Sequence, residues 1–505
     1  MKNQHRTRRR SSSVSYSHLE RREVLTSFLP AAFDLNITAN ELVIRADPNS
    51  METNIEIIGD AANNEIVVTE TRPGGNVENS IFALSAVDRI RYVGNDFTDR
   101  VSNFHLVDTL FSGRGGFDNF FSVSDSNHTA ALFGGDGDDI LRTGAGNDRL
   151  FGGNGNDFIS SGLGDDLIFG SAGADNIEGG AGEDTIYGGT EDDTISGQGG
   201  DDFIVAGDGD DQVLGGVGDD TVFGGLGNDR LFTHSGDDFV RGGAGEDTIL
   251  GGDGNDRLVG ELGDDYISGE SGADVILGGA GDDTLLGESF SFGVVPPGGG
   301  DDFIRGGEGD DWITGRDGDD VLIGDGGNDS ISGGEGNDRL EGNAGDDRIV
   351  GGAGDDTLLG QGGTDFLAGD EGDDRIFGGA GFDNLFGNEG NDILFGLGDR
   401  DFVSGGAGDD RLLGGSGDDI LSGGEGNDVL DGQAGDDRVE GDGGDDRVIG
   451  GIGDDRLSGG RNVAFDGVGT DVFIGNAGSD VFIAVDSFDV LVDFNPDQDT
   501  MEQAR

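Results

Sequence analysis

Residues 134–169 read GGDGDDILR, TGAGNDRLF, GGNGNDFIS and SGLGDDLIF, four lines of nine that align column by column. The sixth place is Asp139, Asp148, Asp157 and Asp166. The eighth is Leu141, Leu150, Ile159 and Ile168. The register holds onward through Asp175, Asp184, Asp193, Asp202, Asp211, Asp220, Asp229, Asp238, Asp247, Asp256, Asp265, Asp274 and Asp283. Ten extra residues, Glu288 to Pro297, then interrupt it. It resumes as Asp302, Asp311, Asp320, Asp329, Asp338, Asp347, Asp356, Asp365, Asp374, Asp383, Asp392, Asp401, Asp410, Asp419, Asp428, Asp437, Asp446 and Asp455. Across these 35 units the sixth place is always Asp and the eighth always Leu, Ile or Val. The fourth place is Gly in 33 of the 35, with Glu191 and Asp399 as the exceptions. A flexible Gly/Asp linker has no reason to keep three columns in phase.

Such a unit has a direct physical reading. Gly in the first places allows positive φ and close backbone approach, so places one to six read as a turn. Places seven to nine read as a very short strand whose alternation points the eighth side chain inward. Two units then make one coil of strand, turn, strand, turn. Stacked coils form two parallel sheets facing across an aliphatic core. One unit cannot bury its single aliphatic side chain alone, so stability is collective. The fold class is all-β.

Composition sets what this solenoid needs. The chain has 505 residues, 104 acidic against 30 basic, with a net charge of -74 and Gly at 105 positions. That charge excludes nucleic acid as a partner, because phosphate is repelled. The absence of Cys excludes a disulfide scaffold and a thiolate metal site. No apolar run is long enough for a membrane span. Coils stack at about 4.8 Å, which places sixth-place aspartates eighteen apart along one edge. Each like-charge neighbour pair then costs about 0.9 kcal/mol even in water. There are 31 such pairs within the two blocks. Their total of about 28 kcal/mol exceeds the roughly 5–15 kcal/mol by which a domain is stable. A hard divalent cation held by these carboxylates and by Gly-rich backbone carbonyls resolves the repulsion. About one ion per pair would bring the charge to about -12. Fifth-place acids such as Asp138, Asp165 and Asp201 alternate with Asn147, Ala174 and Thr364, so they read as solvated or turn-capping.

The units resemble the repeats-in-toxin (RTX), hemolysin-type calcium-binding nonapeptide. The resemblance implies a parallel β-roll, calcium as the ion at roughly one per repeat, and the 35 sixth-place aspartates as its ligands. The segment Asp480 to Phe494 resembles the closing part of such rolls, with Phe473 and Phe482 at the eighth place. Many family members carry an enzyme or toxin domain ahead of the roll, and this chain leaves no room for a large one.

The remaining segments read as follows. Residues 1–33 hold seven of the 30 basic residues and a short apolar stretch, Val24 to Leu29, before Pro30-Ala31-Ala32. They read as a targeting segment. Leu19 to Leu25 looks like a sorting motif of large secreted planctomycete proteins. Residues 34–128 read as a β-rich cap or decayed repeats, with looser copies of the unit at Gly59 to Val68, at Gly94-Asn95-Asp96 and around Asp118. The first roll block spans 129–287, a loop insertion 288–300, the second block 301–460, and degenerate repeats with a terminal cap 461–505. His5, His18, His105, His128 and His234 show no metal or triad spacing, and Trp312 is an outward residue. The chain therefore reads as a secreted, non-catalytic calcium-binding protein, structural or adhesive at the cell surface or in the matrix. The alternative is a calcium-dependent folding or secretion module of an extracellular enzyme or toxin. Ninth places form apolar ladders, Phe151, Phe169, Tyr187, Val205, Phe223 and Leu359, Phe377, Phe395, Leu413. They read as exposed stripes for self-association or for cell-surface glycans.

Overall fold

The computed structural model describes residues 33–38, 41–46, 52–60, 65–72, 76–83, 87–104, 107–123, 125–288, 300–459, 471–484, 490–492, 494–495 and 498–503. The targeting and sorting motifs in 1–32, and residues 289–299 and 460–470, lie outside them. The described residues fall into two compact units, one up to Val222 and one from Phe223.

The first unit opens with antiparallel pairing. Phe33–Thr38 pairs with Glu41–Ala46, and Glu52–Asp60, Glu65–Arg72 and Asn76–Ala83 form a meander. Parallel stacking starts upstream of the regular repeats. Glu41–Ala46 takes Arg89–Val93, and Glu52–Asp60 takes Thr98–Asn103. From there each strand lies beside the strand two units on, as Arg149–Asn154 does beside Leu167–Ala172. The inner positions Tyr92, Phe111 and Phe120 meet edge to face at 5.7–6.3 Å where the repeats are loosest. Aromatic volume replaces the aliphatic column there.

The second unit is likewise built of two sheets of parallel strands. Its eighth places, from Leu231 to Leu457, are at most 1% exposed, as are those from Leu141 to Val222 in the first unit. Phe473 and Phe482 take over the inner place near the end and pack edge to face at 6.4 Å, with Phe494 on Phe482 at 5.7 Å. Aromatic rings thus fill the inner place of the closing segment.

The strands are longer than places seven to nine. Each typically runs six residues, from the seventh place through the third place of the following unit, for example Phe158–Leu163 and Arg411–Ser416. The first places carry few side-chain cues because they are mostly Gly, and pairing continues through a second place of positive φ, as at Gly162 and Gly415 with 105° and 119°. The true turn is places four to six. Fourth-place Gly residues such as Gly155 and Gly354 have φ of 121° and 136°. A Cβ on Gly354 would overlap the Gly336 carbonyl of the coil before it. Where a side chain does occupy this place, at Glu191 and Asp399, φ falls to 76° and 68°. The backbone rotates to make room.

The interruptions leave the register intact. Val275 pairs with Phe303 and Asp274 N–H donates to Asp302 at 2.7 Å, both across 28 residues instead of 18. Arg447 pairs with Val472 across 25 residues. Removing residues 288–297 would join Gly287 to Gly298-Gly299-Gly300 in phase. That deletion is expected to leave the far-ultraviolet circular dichroism of the calcium-loaded protein unchanged. A collapse of the β signal would make the segment a structural joint.

Candidate metal centre

The same alternation that buries the eighth place buries the sixth and the first. All 35 sixth-place aspartates are at most 3% exposed. They do not line an outer edge, as spacing alone suggests. They stand inside, flanking the aliphatic column at the turns. Each carboxylate reaches back to the preceding coil, where one oxygen accepts a main-chain N–H. Asp139 N–H donates to Asp157 Oδ1 at 2.7 Å, Asp283 N–H to Asp311 Oδ1 at 2.8 Å, and Asp437 N–H to Asp455 Oδ1 at 3.0 Å.

The other oxygen is left over. Oδ2 is buried without a hydrogen-bond partner in Asp139, Asp157, Asp283, Asp302 and Asp455, and the pattern recurs along both blocks. It lies against the first-place glycine of its own unit, together with a carbonyl oxygen from the next coil. A Cβ on Gly152 would run into Asp157 Oδ2 and the Gly170 carbonyl, and one on Gly351 into Asp356 Oδ2 and the Gly369 carbonyl. Two kinds of acceptor thus face one pocket of backbone. At Thr143, Ser161 and Thr233 a hydroxyl stands at the first place and donates to that carbonyl. In most units no such donor exists.

This arrangement is electrostatically costly. Burial pushes the Asp139 carboxyl from 3.8 up to about 7, Asp184 up to about 8 and Asp302 up to about 9. The N–H bond from the preceding coil opposes this, and neighbouring carboxylates add to it. A buried acid in this state either holds a proton or meets a cation. Among the described residues no three acidic or imidazole side chains converge on one point. As these side chains stand, a cation draws on one or two carboxylates and on backbone carbonyls, the oxygen-rich set that suits a hard ion such as calcium.

Fifth-place residues behave differently. They are mostly exposed, and their side chains reach forward to the next coil. Asn156 N–H donates to Asp138 at 2.9 Å, and Asn391 N–H to Asp373 at 2.8 Å. The Asn391 bonds hold Asp373 below the usual carboxylate range. These residues are turn caps.

The inner row also extends beyond the 35. Asp99 and Asp118 are fully buried, and Asp99 N–H donates to Asp118 Oδ1 and Asp118 N–H to Asp139 Oδ1, both at 2.7 Å. Asp471 and Asp480 accept from Asp446 and Asp455 at 3.0 and 3.2 Å. Asp99, Asp118 and Asp480 share a glycine five residues before and an apolar residue two after, as in Gly94, Asp99, Val101 and Gly113, Asp118, Phe120; Asp471 keeps only the apolar residue, Phe473. The described histidines, His128 and His234, do not join this pattern. His128 pairs with Asp125 at 2.6 Å, and His234 is an exposed second-place residue with φ of 71°.

Stacked parallel strands with buried rows of acceptors define a cation-binding β-solenoid. The model of the RTX calcium-binding nonapeptide repeat family matches residues 133–285 and 297–491 in overlapping stretches. That is more than half of the chain, and the protein belongs to this family. Calcium is the ion its repeats bind, and the number of repeats means many ions. No curated protein matches the chain. Among the described residues no helix is long and apolar enough to cross a membrane.

Proposed function

We propose that the protein is a secreted, non-catalytic calcium-loaded β-roll with structural or adhesive work at the cell surface or in the matrix. The sixth-place aspartates, Asp139 to Asp283 and Asp302 to Asp455, are the carboxylates that hold the ions. The observation that carries this reading is the row of buried Oδ2 atoms with no hydrogen-bond partner. A fold that needs so many ions suits the calcium-rich space outside cells, where modules bind at about 10⁻⁴–10⁻³ M. The protein atoms position the ligands and exclude water, while calcium neutralises the charge that would otherwise unfold the coils.

The adhesive part rests on the outer faces. Phe133, Phe151, Phe169 and Tyr187 stack face to face at 4.7, 5.1 and 4.8 Å, within 7° of parallel. Phe377 and Phe395 do the same at 4.9 Å in the second unit. Phe223, in the second unit, instead packs edge to face on Phe239. Phe151, Phe169, Tyr187, Phe377 and Phe395 are half-buried because each ring covers its neighbour, while Phe133 at the start of its row is exposed. Ring faces turned on one another leave edges outward, which favours contact between copies of the chain over stacking on sugar rings. The sheet behind the first row carries Arg142, Ser160, Glu178, Ser196 and Leu214 at the matching places.

Changing Phe133, Phe151 and Phe169 together to Ser is expected to weaken self-association severalfold in saturating calcium, with the β signal retained. Sedimentation velocity reads this. Unchanged association would make the row a sheet-stabilising ladder, worth about 0.2–1 kcal/mol per pair.

A further inference from the structure

Glu288 stands where the first roll block should continue and does not. A complete coil pairs through its second and third places, as Gly307 does with Asp325 and Glu308 with Gly326. Thr284–Leu286 pairs with Trp312, Ile313 and Thr314 and then stops. Glu288 follows directly and turns inward, only 5% exposed. Its Oε2 accepts the main-chain N–H of Asp317 at 3.4 Å, while its Oε1 is buried without a hydrogen-bond partner. The inner aspartates Asp302 and Asp320 are close enough to interact with its charge. Each also buries an Oδ2 without a partner. The Gly315 carbonyl lies beside Asp302 Oδ2 against Gly287. Asp317 adds further negative charge, and Arg316 opposes it. Among the described residues of this unit no other glutamate is buried beside the aspartate row.

We infer that Glu288 adds a third buried carboxylate to the calcium site of Asp302 and Asp320, making it the first of this unit to fill. The inference rests on the reading that sixth-place aspartates hold calcium. The three side chains do not yet converge on one point, so the ion itself would draw Oε1 inward. Its effect would be to fasten the chain where ten extra residues leave the roll.

The chain's single Trp reports on this place. Trp312 is 61% exposed and begins the strand Trp312–Asp317, whose Asp317 N–H Glu288 holds. Full-length protein is titrated with calcium from a chelated state, following Trp312 emission and far-ultraviolet circular dichroism together. In the parent, the Trp312 transition is expected at lower calcium than the global β transition. Glu288→Gln keeps an acceptor for Asp317 but removes the charge, and is expected to move the Trp312 midpoint up about tenfold. The global midpoint should stay in place. Glu288→Asp, which keeps the charge, should retain the early response. Superimposable Trp312 curves for parent and Glu288→Gln would overturn the inference, as would loss of the early response in both variants, which marks a packing role. A parent in which β structure is already complete in chelator would overturn the underlying calcium reading as well.

Discussion

Stripped of calcium at about pH 8, the roll is expected to lose essentially all of its β signal, and added calcium should restore it cooperatively. The reason lies inside the coils. Every regular unit buries an aspartate at most 3% exposed, and one of its oxygens typically faces another acceptor instead of a donor. Calculated for water, neighbour repulsion across the blocks is about 28 kcal/mol, and burial makes that a lower bound. The one buried aliphatic side chain per nine residues contributes about 1.5–3 kcal/mol, less than the cost of ordering nine backbone residues at about 1–2 kcal/mol each, so the core leaves little to offset the repulsion. Binding energy is then folding energy. The loss should be collective, since each coil contacts only its neighbours. A full β signal in excess chelator at this pH would contradict the account.

Acid should do part of the work of calcium. In chelator, the protein is expected to be unfolded at about pH 8 and to regain β structure by about pH 5. The inner carboxyls have folded-state values raised by burial to between about 6 and about 9, as for Asp175, Asp347, Asp374 and Asp302, against an ordinary 3.8. The folded roll therefore binds protons more tightly than the unfolded chain. Stability without metal is highest below 3.8, where both states are protonated, and is lost as pH rises from there through the folded values. Calcium has the opposite dependence, because it needs the carboxylates ionised. The calcium concentration at the folding midpoint should accordingly pass through a maximum requirement at neutral to alkaline pH and vanish in acid. Circular dichroism across pH in chelator checks this. A chain that stays unfolded at pH 5 would mean that charge on the inner row is not what opposes folding.

Most of the fold is legible in three columns of the sequence, and the reasons for the rest are specific. Asp302 announces its return to phase, and the Val275–Phe303 pairing bears it out. Strand length is hidden because first-to-third places are mostly small and leave no hydrophobic alternation to read. The inward position of Asp139 follows from carrying the alternation of Leu141 back two places, a step that spacing along an edge passes over. Asp118 keeps Gly113 and Gly116 and is legible as a loose unit, whereas Asp99 lacks the fourth-place glycine and is marked only by Gly94 before it and Val101 after it. Glu288 has no periodic signal at all. Its burial depends on a ladder that ends at Leu286, which is a property of the stacked coils and not of any one of them.

The most direct measurement is the number of calcium ions bound per folded chain, by equilibrium dialysis with metal analysis. With 35 regular units, the account predicts roughly one ion per unit, about 35 in all. A chain that is fully folded by circular dichroism with fewer than about ten ions would contradict it, since most of the buried carboxylates would then be held without a cation.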